Sequence, residues 1–135
     1  GTGNLGIEAL SRGAKHVTFV EKSNKSIQIL KENINLLKIE KSEHVIVPKD
    51  VLAFLKSYTG EPFQLIVIDP PFTEKMAHEV MLALDSSKVF NETTKIAIEA
   101  IKQERIDLNY VNLTCYDKLD YGDKSLSFFC KKAED

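Results

Sequence analysis

Leu65-Ile66-Val67-Ile68-Asp69-Pro70-Pro71-Phe72 is an unbroken aliphatic run that ends in an acid, two prolines and an aromatic ring. Without polar alternation it reads as a strand covered on both faces, the pattern of parallel sheets inside α/β domains. Asp69 then stands at the carboxyl end of that strand, where open α/β sheets bind ligands. Pro70 and Pro71 lack an N–H and hold φ at about −65°, so the chain leaves the sheet stiffly, neither pairing nor turning into a helix. A fixed carboxylate beside the ring of Phe72 suits a planar, hydrogen-bonding substrate such as a nucleobase.

Working outward, the elements on either side alternate between strand and helix. Gly1-Thr2-Gly3-Asn4-Leu5-Gly6 matches G-x-G-x-x-G and leads into a helix through Ile7 to Leu10 that Gly13 ends. His16 to Glu21 is β-rich and ends in an acid. Ser23 is placed to cap a helix carrying Ile27, Leu30, Ile34 and Leu37 at helical spacing, with Lys25, Lys31 and Lys38 on its wet side. A short strand through Val45 to Val47, a helix from Val51 to Tyr58 with Leu52 and Leu55 inward, and a helix from Glu74 to Leu84 through Val80 and Met81 complete the middle. Lys95 to Glu99 is a further strand, and Tyr110 to Tyr116 with Ser125 to Lys132 form a hairpin turning at Tyr121-Gly122-Asp123. The order predicts an α/β, doubly wound, Rossmann-like and mostly parallel sheet with a carboxyl-terminal antiparallel hairpin. Glu21, Asp50 and Asp69 are expected along one edge of it.

The 135 residues suit a single domain, 28% charged and 43% hydrophobic, with a formal net charge of −2. That charge does not advertise nucleic-acid binding. No apolar run approaches the roughly 20 residues of a membrane span, and no signal-peptide pattern is present. Cys115 and Cys130 make no disulfide framework, and a reducing cytoplasm is the expectation. They are placed to face each other across the hairpin as small buried side chains. His16, His44 and His78 lack ligand spacing, so no metal is assigned. Lys25, Lys31, Lys38 and Lys41 read as a solvated face in preference to a phosphate-binding one.

The glycine loop aims helix N–H groups at a ligand, and Glu21 stands where an acid grips ribose hydroxyls. NAD and S-adenosylmethionine both carry adenosine, so the loop alone does not choose between them. Asp50 serves equally as a cap for the helix at Val51 or as a contact to an adenine amine. Asp69-Pro70-Pro71-Phe72 tips the balance, because a carboxylate at the end of a buried strand is costly without a task or a partner.

Gly1 to Ala14, Val20-Glu21-Lys22, Asp69-Pro70-Pro71-Phe72 and Tyr121-Gly122-Asp123 together resemble the RsmD family, bacterial S-adenosylmethionine-dependent 16S rRNA guanine-N2 methyltransferases. The resemblance spans nearly the whole chain. It implies a class I methyltransferase fold in one domain over residues 1–135, amino-terminally incomplete because family members carry a strand and an RNA-contacting segment before the glycine loop. It places Gly1, Thr2 and Gly3 at the methionine and ribose region, Glu21 with Lys22 at the ribose, and Asp50 with Val51 at the adenine. Asp69, Pro70, Pro71 and Phe72 become the catalytic group: Asp69 and the Pro70 carbonyl accept the amine N–H bonds while Phe72 stacks on the base, worth about 1–3 kcal/mol. The implied partner is 16S ribosomal RNA or the assembling small subunit, met by a cytoplasmic monomer. A DNA adenine-N6 or other exocyclic-amine methyltransferase shares the Asp-Pro-Pro-Phe motif. A hydride-transferring enzyme has no use for that motif, and an inactive fragment is the remaining alternative.

Overall fold

The computed structural model describes residues 4–70 and 76–133. The chain divides into two compact units, Gly1–Phe54 and Leu55–Asp135.

In the first unit, helix α1 (Asn4–Ser11) precedes strand β1 (Val17–Val20), helix α2 (Asn24–Leu36) and strand β2 (His44–Val47); helix α3 (Val51–Ser57) begins at its end. β1 and β2 pair in parallel from Val17↔His44 to Val20↔Val47. Ser23 caps α2 as expected, its hydroxyl accepting the Ser26 N–H at 3.3 Å. Ile27, Leu30 and Ile34 are buried, and Phe19, Leu30 and Ile34 form a core with Ile7, Val17, Ile39 and Ile46 against it. Burying each such side chain is worth about 1.5–3 kcal/mol.

Leu37 departs from the helical reading, being 59% exposed. The helix ends there in a Schellman motif: Lys38 takes φ +54°, its N–H donates to Asn35 O, and the Ile39 N–H donates to Ile34 O, both at 3.1 Å. The reversal carries Leu37 off the buried stripe and places Ile39 against the core instead. Lys25, Lys31 and Lys38 are exposed as predicted.

The close approach of α1 to β1 depends on Gly6. A Cβ at that position would lie 2.3 Å from Phe19 Cε1 and 3.0 Å from Val17 Cγ1, so only hydrogen fits.

In the second unit, β3 (Leu65–Ile68), α4 (Ala77–Asp85), β4 (Lys95–Ile101), β5 (Leu113–Tyr121) and β6 (Lys124–Lys131) follow in order. The sheet order is β3-β4-β6-β5, with β3 parallel to β4 and the other pairings antiparallel. Among the described residues the pairings are therefore mixed. Ile96, Ile98 and Ala100 on one face of β4, Phe129 on β6, Leu113, and Val80, Met81 and Leu84 on α4 are buried. Asp85 is buried too, and it accepts the Asn112 backbone N–H at 2.8 Å.

Three expectations change here. β3 is not covered on both faces: Leu65 and Val67 are 55% and 43% exposed, while Ile66 and Ile68 are half-buried. A run of aliphatics satisfies a buried strand and a half-exposed one alike, so composition could not separate them. The first hairpin strand runs on to Tyr121, with Gly122 at φ +57° making the turn where a side chain would be strained. The cysteines do not face each other, because Cys115 pairs with Phe129 and Cys130 with Thr114. That one-residue offset sends them to opposite faces, and both are free thiols. Helix α4 begins at Ala77; positions 74 and 75, expected in it, lie outside the described residues. No described helix is long and apolar enough to cross a membrane.

Candidate functional site

In the first unit the chain ends of the two parallel strands bring together three of the anticipated residues. The Glu21 N–H donates to Val47 O at 3.1 Å, extending the ladder past Val20 and setting Glu21, half-buried, at the carboxyl end of β1. Lys22 Nζ lies 4.0 Å from Asp50 Oδ1, a long ion pair between exposed partners that contributes little stability. Asp50 Oδ2 accepts the Ala53 N–H at 3.3 Å and so caps α3, whose first residue is Val51. The capping role anticipated for Asp50 is present. Its Oδ1 keeps acceptor capacity beyond Lys22. Gly1, Thr2 and Gly3 lie outside the described residues.

In the second unit, Asp69 follows β3 directly and Pro70 is buried behind it. Pro71 and Phe72 lie outside the described residues. The parallel register Val67↔Ala97, Ile68↔Ile98 makes Asp69 the neighbour of Glu99, on the face of the sheet that carries Ala97. Glu99 pairs with Leu126, and Lys124 with Tyr121, so this same face also gathers Lys124 and Tyr121. The Tyr121 hydroxyl donates to Glu99 Oε2 at 2.5 Å, reaching across β6, and Lys124 Nζ stands 3.6 Å from Glu99 Oε1.

The electrostatics follow from this packing. Loss of solvation at the strand end raises the Asp69 pKa, the negative charge of Glu99 raises it further, and Lys124 opposes both. The hydrogen bond to Glu99, together with partial loss of water and the nearby acids, pushes the Tyr121 phenol up to about 12. Asp69 is exposed, not buried as the aliphatic run suggested, and is a hydrogen-bond acceptor whose ionised form the Glu99 charge disfavours.

Glu99 and Lys124 were not singled out by sequence reasoning, and Tyr121 entered only as part of a turn motif. The available signal was Glu99 itself, an acid closing Lys95-Ile96-Ala97-Ile98 just as Asp69 closes Leu65 to Ile68.

Residues 1–130 match the family model described as Conserved hypothetical protein 95. The ribosomal RNA small subunit methyltransferase D of Haemophilus influenzae is 33% identical over 77% of this chain and 54% of its own length. The protein of the same name from Buchnera aphidicola is 35% identical over 87% of this chain and 60% of its own. The chain thus spans less than two thirds of either relative. The solved HI0767 protein of Haemophilus influenzae superposes with a TM-score of 0.85 at 30% identity, covering 97% of this chain and 81% of that one. The fold is the Rossmann-like fold of S-adenosylmethionine-dependent methyltransferases. With its glycine motif, its Asp69-Pro70-Pro71-Phe72 strand end and the turn of its tail hairpin all within residues 1–130, the chain belongs to the Conserved hypothetical protein 95 family, the RsmD family of methyltransferases.

Proposed function

We propose that this chain carries the catalytic domain of an S-adenosylmethionine-dependent methyltransferase acting on the exocyclic N2 amine of a guanine in 16S ribosomal RNA. The observation that carries the reading is Asp69, an exposed carboxylate directly after β3, next to buried Pro70 and in register with Glu99 on the neighbouring strand.

The residues present fit the cofactor. Glu21 offers a half-exposed carboxylate for a ribose diol, with Lys22 beside it, and Asp50 with Val51 offers an acceptor and an apolar edge for adenine. Gly1, Thr2 and Gly3 complete the set by their place in the motif. When bound, the cofactor supplies an electrophilic methyl group on a sulfonium sulfur.

Everything else falls to the chain. The guanine amine is a poor nucleophile because its lone pair is delocalised into the ring. Asp69 and the Pro70 carbonyl accept its two N–H bonds, orient the nitrogen and favour localisation of the lone pair, which is positional and electrostatic catalysis. Phe72 stacks on the splayed base. Asp69 need not act as a strong base, since the amine becomes acidic only as it is methylated, and its raised pKa then makes it a competent proton acceptor. The reading takes residues 1–135 as one methyltransferase domain of a cytoplasmic monomer whose partner is 16S RNA or the assembling small subunit.

The test is methyl transfer to 16S RNA and to small-subunit particles, with nucleoside analysis of the product. N2-methylguanosine is expected; methylated adenosine instead would refute the assignment. Asp69→Ala should abolish transfer while S-adenosylhomocysteine binding, measured by calorimetry, stays within about threefold. Loss of both together would implicate the fold and not the chemistry.

A further inference from the structure

We propose that Glu99 is a specificity-determining residue: held by Tyr121 and Lys124, its carboxylate accepts the ring N1–H of the guanine whose exocyclic amine is presented to Asp69. This rests on the guanine-amine reading above and extends it to how the base is told from adenine.

Four observations carry the inference. The parallel register, continued one residue past Ile68↔Ile98, puts Glu99 on the strand next to Asp69 and on the same sheet face; paired strands stand about 4.8 Å apart, so one oxygen from each can converge on a single base edge. Guanine presents N1–H and N2–H side by side on its pairing edge, two donors in a row. Adenine presents an amine beside an unprotonated N1, whose lone pair a second carboxylate repels. Two neighbouring acids therefore match one purine and reject the other.

Second, Glu99 is held in place. The Tyr121 hydroxyl fixes Oε2 at 2.5 Å and Lys124 stands 3.6 Å from Oε1, which orients the carboxylate and offsets part of its repulsion toward Asp69. Third, capacity remains after these contacts, because each carboxylate oxygen accepts more than one hydrogen bond. Fourth, the Glu99 side chain is 24% exposed, so a ligand can reach it. A carboxylate needed only to pin the hairpin has no reason to sit in register with the motif acid.

2-Aminopurine separates the two roles, since it keeps the exocyclic amine but lacks the N1–H. The experiment compares kcat/KM for an RNA carrying guanosine at the methylated position with the same RNA carrying 2-aminopurine there. In the unsubstituted protein guanosine should be preferred. Glu99→Gln should lower kcat/KM on guanosine by about tenfold or more, the loss of one charge-assisted hydrogen bond. On 2-aminopurine it should be unchanged or raised, because the repulsion of N1 is gone. Tyr121→Phe should shift the same ratio in the same direction by less. The ratio is internal to each preparation, so partial unfolding cannot mimic it. Equal losses on both substrates, or none on guanosine, would overturn the role of Glu99 alone. Absence of guanine methylation by the unsubstituted protein would overturn the underlying reading and this inference with it.

Discussion

Replacing Gly6 by alanine adds a single methyl group at the tightest contact between α1 and β1. That methyl would meet Phe19 Cε1 at 2.3 Å, Phe19 Cζ at 2.8 Å and Val17 Cγ1 at 3.0 Å, against an optimal carbon separation of about 3.5–4.0 Å. Phe19 is 8% exposed and packed in the core with Leu30 and Ile34, so its ring has little room to swing away. Overpacking of this kind costs about 1–3 kcal/mol, while alanine returns about 1 kcal/mol of helix propensity over glycine. The 2.3 Å approach puts the cost in the upper half of that range, about 2–3 kcal/mol, so the net expectation is a loss of about 1–2 kcal/mol. In a Phe19→Leu background the offending ring atoms are gone, and Gly6→Ala should become neutral or stabilising. Urea unfolding of the four proteins measures this, with the midpoint shifting at constant slope. The double-mutant cycle should show a coupling of about 1 kcal/mol or more. A Gly6→Ala protein as stable as the parent, or strictly additive substitutions, would refute the packing argument.

Asp69→Asn should stabilise the fold near neutral pH. The folded pKa of Asp69 is raised above its unfolded value, so the native state binds the extra proton; its contribution is full below the unfolded pKa and lost as pH rises through the raised one. The advantage of the asparagine protein in thermal midpoint should therefore shrink toward acid pH, and an advantage independent of pH would contradict the assignment. Spectroscopic titration of the tyrosines should reveal one phenol ionising at about 12, which Tyr121→Phe removes and Glu99→Gln brings down toward the ordinary range. A high phenol unmoved by Glu99→Gln would disprove that hydrogen bond.

The chain's local periodicities determined its elements. Ser23 followed by Ile27, Leu30 and Ile34 specifies a capped amphipathic helix, and the structure has it. Leu65 to Ile68 followed by Asp69-Pro70 specifies a strand that stops with an acid at its tip, and Gly122 specifies the hairpin turn. Each of these depends on neighbours within a few residues, which is what a sequence displays. The same logic ran out wherever distance along the chain was large. Leu37 continued the stripe on paper, but the turn through Lys38 handed its place to Ile39. Cys115 and Cys130 were apposed by counting from Gly122, yet the bulge between Cys115 and Asp117 shifted the ladder above it by one residue. The unbroken aliphatic run could not tell that Leu65 and Val67 would face outward. Above all, only the tertiary structure set Glu99 beside Asp69 and brought the Tyr121 hydroxyl to it across 22 residues. Strand register is decided by the summed packing of Ile68, Ile98 and their buried neighbours, a nonlocal quantity that no single stretch of sequence contains.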